Sequence, residues 1–129
     1  MAMRRVIEEA FRIASQYNPK HSQIKGYRHF SFIVQDDKIL DWDTNSDGPA
    51  LGGYKQYQKL HSENAAYFKA KHILNKKRPF DLINIRLSRI GIPRMSCPCD
   101  CCSAWLTKMG CRSVYFSIKD SYNMARICF

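Results

Sequence analysis

The order of hydrophobic patterns along the 129 residues constrains the fold more than any other feature. Apolar side chains recur at spacings of three and four near the amino terminus, which is typical of an amphipathic helix. Two short apolar runs follow, and the polar segment 35–37 between them suits a tight hairpin turn. Turn-forming residues then separate further helix and strand patterns. The predicted elements are a helix at 3–17, strands at 30–34 and 38–42, a helix at 61–75, a strand at 80–89, a helix from 98 or 99 to 110, a strand at 113–118 and a closing helix at 120–128.

This order predicts a layered α/β domain, because strands alternate with helices of about 10 to 15 residues. The early hairpin makes the expected sheet mixed. A chain of 129 residues has the size of one ordinary domain, so we expect residues 1–129 to form a single domain. Hydrophobic residues make up 45% of the chain, which excludes disorder throughout.

The charge balance points to anionic partners. Lys and Arg number 21 against 11 Asp and Glu, so the formal net charge is +10. Such a chain should attract polyanions or phosphorylated small molecules, although a merely soluble basic protein has the same composition. No apolar stretch approaches the ~20 residues of a membrane span, and charge returns too early for a signal peptide. We therefore expect a cytoplasmic protein with reduced cysteines and no membrane contact.

Four of the six cysteines lie within residues 97–102. A disulfide framework would need an oxidising compartment, so local metal binding is the better interpretation. Cys99 and Cys102 have the C-x-x-C spacing that lets two thiolates on one helical turn bind one zinc ion. Cys101 competes with Cys102 as the second ligand, but the spacing of one turn favours Cys102.

The C-x-x-C pair is an incomplete zinc site. Cys111 and Cys128 are too far apart to supply a second pair of this kind. The missing ligand must come from elsewhere, and His61 is the obvious candidate because it opens a predicted helix and precedes Glu63 by two residues. Three protein ligands leave the fourth position of zinc open, which is the pattern of catalytic sites.

These residues resemble the signature of a known family. His61-Ser62-Glu63, followed by Pro98-Cys99-Asp100-Cys101-Cys102, matches the H-x-E…P-C-x-x-C pattern of the zinc-dependent cytidine deaminase superfamily. The resemblance covers roughly residues 28–118 and implies a three-layer α/β/α deaminase-like domain with a central mixed sheet. It also implies Zn²⁺ held by His61, Cys99 and Cys102, with Glu63 as the catalytic residue that moves protons from water to the base.

The reaction implied by the resemblance is the hydrolytic conversion of a cytosine base to uracil with release of ammonia. The pattern is most similar to small CMP/dCMP-type deaminase domains, some of them viral, so a nucleotide is the expected substrate. Ser62 and Cys101 depart from the H-A-E and P-C-x-M-C patterns of the tRNA adenosine deaminases. The Trp that precedes the cysteines in polynucleotide-editing deaminases is absent too.

Two alternatives stay open at this point. One is the same chemistry on cytosine or adenine in single-stranded DNA or RNA. The other is an inactive zinc-containing module that binds nucleic acid. Relatives with this fold often assemble into dimers or larger forms, so a homo-oligomer is also open.

Three residues are candidates for substrate binding. Asn45 resembles an Asn that contacts the base or sugar in this superfamily, although a plain turn explains it equally well. Tyr54 lies in a Gly-rich loop before His61 that could close over a nucleotide, with aromatic rings stacking on the base. Ser96 ends a segment with three arginines, a residue type suited to phosphate recognition. A surface loop and solvated edge charges are the alternative interpretations.

Overall fold

A computed structural model describes residues 2–17, 28–44, 61–88 and 90–129, and these residues form three helices and six strands. No helix in these ranges is both long enough and apolar enough to cross a bilayer. The elements in chain order are α1 (Ala2–Gln16), β1 (Arg28–Gln35), β2 (Lys38–Thr44), α2 (Ser62–Ala70), β3 (Phe80–Leu87), β4 (Pro93–Arg94), α3 (Asp100–Lys108), β5 (Cys111–Ser117) and β6 (Met124–Cys128).

The strands form one mixed sheet in the order β2-β1-β3-β5-β6, with β4 paired to β3. Only the β3–β5 pair is parallel, among the strands described. Strand β3 is the central strand, and seven of its eight residues are buried because helices cover both faces of the sheet. The prediction of an α/β fold with a central mixed sheet is confirmed.

Two apolar clusters fill the space between the sheet and the helices. On one face, α1 packs its apolar stripe against β1 and β3, with Ala10, Phe30 and Ile85 fully buried. On the other face, α2 packs over β1 and β2 and α3 packs over β5, with Ala66, Leu106 and Val114 fully buried. This arrangement gives three layers and places α2 and α3 on the same side of the sheet.

The turn between β1 and β2 has the tight geometry expected from its sequence. Asp36 and Asp37 both have positive φ, at 54° and 61°, and connect the paired residues Gln35 and Lys38. Two consecutive residues with positive φ match the right-handed twist of a hairpin, and Asp tolerates this conformation.

The second predicted helix ends five residues earlier than its apolar pattern indicates. Helix α2 stops at Ala70, and residues 71–73 form a turn that is followed by a bend at Leu74. The side chain of Gln35 accounts for this early end, because its Oε1 accepts from the backbone N–H of Asn75 at 2.8 Å and its Nε2 donates to the Asn75 carbonyl at 2.9 Å. A contact from β1 thus redirects the chain away from the helix axis.

The predicted closing helix at 120–128 is wrong. Residues Met124–Cys128 form β6, which pairs antiparallel with β5 along its length. Asp120, with φ of 56°, lies in the turn that reverses the chain. A short apolar run does not distinguish strand from helix by periodicity, and the free edge of β5 supplied hydrogen bonds that the local sequence does not reveal.

Candidate active site

The candidate metal ligands come from the amino-terminal ends of two helices. His61 is the N-cap residue of α2, and Cys99 is the N-cap residue of α3. Cys102 lies one turn into α3, and its backbone N–H donates to the Cys99 sulfur at 3.4 Å. Because α2 and α3 pack on the same face of the sheet, their first turns converge. The positive ends of the helix dipoles favour thiolates at this point.

The three predicted ligands lie close enough together to hold one ion. The donor atoms of His61, Cys99 and Cys102 are all within 4.8 Å of one another, and His61 Nδ1 lies 3.2 Å from Cys102 Sγ. Tetrahedral zinc with ordinary Zn–N and Zn–S bond lengths separates its donors by about 3.6 Å for N and S and by about 3.8 Å for two sulfurs. An imidazole with two thiolates is also a donor set that zinc prefers. The residues therefore fit a zinc ion.

The cluster is buried on one side and open on the other. Cys102 is fully buried, His61 is half-buried and Cys99 is exposed. The neighbouring Cys97 and Cys101 are both exposed. Desolvation, together with the charges of nearby carboxylates, raises the pKa of the Cys97 thiol, which disfavours its thiolate form. The open side of the cluster is where a small molecule could approach.

Glu63 is buried in the first turn of α2 and accepts a hydrogen bond from Asn84. It is 4% exposed and lies in the first turn of α2, two residues after His61. Its Oε2 accepts from Asn84 Nδ2 at 3.0 Å, and its Oε1 lies 3.3 Å from the hydroxyl of Ser62. A buried carboxylate with a fixed orientation, two residues from a candidate metal ligand, is suited to general acid–base chemistry.

The structure places Ser96 in a buried network of hydrogen bonds with β3 and β5. Its hydroxyl donates to the carbonyl of Asn84 at 2.9 Å and accepts from the backbone N–H of Ser117 at 2.8 Å. Its own carbonyl accepts from Asn84 Nδ2 at 3.1 Å. A role in substrate binding stays a prediction for Ser96. Asn45 and Tyr54 lie outside the described residues.

Sequence reasoning missed Ser31 and Asn84, which lie fully buried next to the site. In the sequence they look like the polar, outward-facing positions of two alternating strands. They face inwards because α2 and α3 cover that side of β1 and β3. The available signal was a small polar residue between two large apolar ones, Phe30-Ser31-Phe32 and Ile83-Asn84-Ile85, in strands that have apolar residues on the other face as well.

His29 and Arg86 form a second pair that sequence reasoning did not connect with the site. They are register partners on β1 and β3, each two residues from Ser31 or Asn84 on the same strand face. Two residues of a strand span about 7 Å, so both side chains begin about that far along the strands from Ser31 and Asn84. Burial lowers the pKa of His29, Glu63 raises it, and Arg86 and His61 lower it further.

No protein-family model and no curated protein sequence matches the chain. Solved structures do match. A cytidine deaminase from Burkholderia pseudomallei aligns over 99% of this chain and 93% of its own, with 18% identity and a TM-score of 0.62. The apo dCMP deaminase of cyanophage S-TIM5 aligns over 87% of this chain and 82% of its own, with 18% identity and a TM-score of 0.56.

The same phage enzyme in complex with dCMP and dUMP aligns over 88% of this chain and 79% of its own, with 18% identity and a TM-score of 0.52. At this level of identity the likeness concerns the path of the backbone. The chain therefore has the fold of these cytidine and dCMP deaminases.

Proposed function

We propose that the protein is a zinc-dependent hydrolytic deaminase that converts a cytosine base in a nucleotide to uracil and ammonia. One observation carries the proposal: the donor atoms of His61, Cys99 and Cys102 lie within 4.8 Å of one another, and the buried carboxylate of Glu63 stands two residues from the first of them. A structural zinc site needs no carboxylate at that position, whereas a hydrolytic site needs a proton carrier.

Each site residue has a separate role in the proposed reaction. His61, Cys99 and Cys102 would hold the ion, which when bound supplies a Lewis acid that makes water acidic enough to attack at neutral pH. Glu63 takes a proton from the attacking water and gives it to the ring nitrogen, and a second transfer goes to the departing amine. Burial of Glu63 and Cys102 keeps competing water away from one side of the reacting groups.

Three observations support a nucleotide over a free base. His29 and Arg86 lie on the site face of the sheet, and the chain has a formal charge of +10. The planar fork of Arg86 is suited to a phosphate group. The phage enzyme with the same fold is described in complex with dCMP and dUMP. We propose that residues 1–129 act as one deaminase domain, in keeping with the 99% of the chain that aligns with the Burkholderia enzyme.

An ammonia-release screen with the zinc-loaded protein tests the proposal. The panel contains cytosine, cytidine, deoxycytidine, CMP, dCMP, AMP, dAMP and single-stranded oligonucleotides. We expect the fastest release from CMP or dCMP, with UMP or dUMP as the product. Faster turnover of an oligonucleotide would replace the proposed substrate by a polynucleotide, and release from no member of the panel by a zinc-containing protein would refute the activity.

The role of Glu63 is tested with a matched pair of substitutions. Glu63→Gln keeps the size of the side chain but removes its proton affinity, so we expect turnover to fall by about 100- to 10,000-fold with zinc retained. Glu9→Gln makes the same change on an exposed position of α1 and should leave turnover unchanged. Full turnover by Glu63→Gln would contradict the assigned role.

A further inference from the structure

Four buried polar side chains form a continuous series of contacts that connects α2, β1 and β3 at the candidate site. Ser62, Ser31, Asn84 and Glu63 are 1%, 0%, 0% and 4% exposed. The Ser62 and Ser31 hydroxyls are 2.7 Å apart, and Ser31 Oγ lies 2.6 Å from Asn84 Oδ1. Asn84 Nδ2 then lies 3.0 Å from Glu63 Oε2. Residues from α2, β1 and β3 thus meet in the apolar interior, where each contact is strengthened by the low dielectric constant.

The direction of each hydrogen bond follows from the available protons. Asn84 Oδ1 can only accept, so Ser31 uses its single hydroxyl proton on that oxygen. Ser62 must therefore donate to Ser31. The single hydroxyl proton of Ser62 is then directed at Ser31, so the longer contact between Ser62 Oγ and Glu63 Oε1, at 3.3 Å, is the weaker of the two. The donors point one way, from Ser62 through Ser31 and Asn84 to Glu63.

Three contacts, one of them from Ser31, fix which way round the Asn84 amide lies. In the observed orientation Nδ2 donates to two acceptors, Glu63 Oε2 and the Ser96 carbonyl, at 3.0 and 3.1 Å. A flipped amide would place Oδ1 against both acceptors and would leave Ser31 facing an N–H group. Since an unpaired buried acceptor costs about 1–3 kcal/mol, the loss of both acceptor contacts disfavours the flipped state, and the Ser31 hydroxyl, which donates to Oδ1 in the observed orientation, adds to this preference.

We propose that Ser31 and Asn84 are positioning residues of the deaminase: Ser31 donates to the Asn84 amide oxygen, and the amide nitrogen of Asn84 fixes the orientation of the Glu63 carboxylate through Oε2. This inference rests on the function proposed above. Asn84 also binds the carbonyl of Ser96, three residues before Cys99, so the same amide ties the proton carrier to the segment that leads into the cysteine helix. The geometry of Glu63 relative to the ligands is thereby set by a side chain on the rigid central strand.

The kinetic test uses Ser31→Ala, Asn84→Ala and the double variant, each loaded with zinc and measured on the best substrate. We expect each single variant to lower kcat by about 10- to 100-fold, a part of the usual contribution of a positioned acid–base group, with KM and zinc content unchanged. Because Ser31 acts through Asn84, the double variant should be no slower than Asn84→Ala alone. Additive losses in the double variant, or an unchanged kcat in Ser31→Ala, would overturn the proposal.

Ser113→Ala is the matched control. Ser113 is also fully buried in the sheet, and its hydroxyl also donates to a buried carboxylate, Asp81 Oδ1, at 2.7 Å. It is not one of the four side chains whose hydrogen bonds lead to Glu63. The control should lose stability to a degree similar to Ser31→Ala and keep its kcat. An equal loss of kcat in Ser113→Ala would show that the effect of Ser31→Ala is only structural.

A second measurement needs no turnover and separates the two proposals. The side-chain amide of Asn84 should give two distinct NMR signals with slow hydrogen exchange in the native protein, assigned by their loss in Asn84→Ala. Ser31→Ala should accelerate that exchange, and Glu63→Gln should shift the signals. Unaltered exchange in Ser31→Ala overturns the positioning role, whereas expected amide behaviour without ammonia release supports the hydrogen-bond chain and refutes only the proposed reaction.

Discussion

Zinc should raise the thermal stability of the native protein, and Cys102 should be needed for the effect. The folded chain brings His61 and Cys102, 41 residues apart in sequence, to a donor distance of 3.2 Å. Unfolding separates these atoms, so the ion binds the folded state far more tightly than the unfolded chain. Ligand binding of this kind stabilises a protein by mass action.

The magnitude follows from the affinity and from the size of the domain. Free zinc at 100 times its dissociation constant adds about 2.7 kcal/mol to the free energy of unfolding. For a domain of 129 residues, 1 kcal/mol corresponds to about 3–5 °C in Tm. We therefore expect Tm to rise by roughly 10 °C on zinc loading and to return on chelation.

Two serine substitutions distinguish the competing ligands. Cys102 is fully buried in the ligand cluster, while Cys101 is exposed on the adjacent position of α3. Thermal unfolding with zinc and with a chelator should show no zinc effect in Cys102→Ser and the full effect in Cys101→Ser. The reverse result would identify Cys101 as the ligand and refute the assignment from the structure. A Tm unaffected by zinc in the unmodified protein would refute the metal site.

Three further predictions concern other parts of the molecule. Burial raises the pKa of Cys111 to about 12, so we expect this thiol to resist iodoacetamide at pH 8 in the folded protein, while the exposed Cys128 reacts. Mass spectrometry of the alkylated peptides measures both rates, and equal labelling of the two cysteines would contradict the prediction. Asp81→Ala leaves the buried hydroxyl of Ser113 without its acceptor, so the free energy of unfolding measured in urea should fall by about 1–3 kcal/mol. A fall of less than about 0.5 kcal/mol would refute this prediction. Arg86→Gln should raise KM for CMP or dCMP by about 10-fold and leave KM for the nucleoside unchanged; equal effects on both substrates would remove Arg86 from phosphate binding.

The sequence predicts local features well in this chain. The hairpin at Asp36 and Asp37 and the turn of α3 that places Cys99 next to Cys102 both depend on neighbouring residues. Spacing and backbone preference within a few positions therefore suffice to predict them. The early end of α2 was not predictable in this way, because the side chain that binds Asn75 belongs to Gln35, 40 residues earlier.

The strand at Met124–Cys128 shows the same limit for secondary structure. Its five residues favour neither helix nor strand by themselves. The exposed edge of β5 makes them a strand, because pairing satisfies backbone groups on both segments.

The sequence by itself determined the candidate ligands and Glu63, because a C-x-x-C pair and an H-x-E run carry their chemistry in their spacing. Only the tertiary structure decided how Glu63 is held. Ser31 lies 31 residues from Ser62 and 53 from Asn84, and no local pattern connects them. The physical reason is that a buried polar group takes its partners from whatever element packs against it, and that packing is a property of the folded sheet.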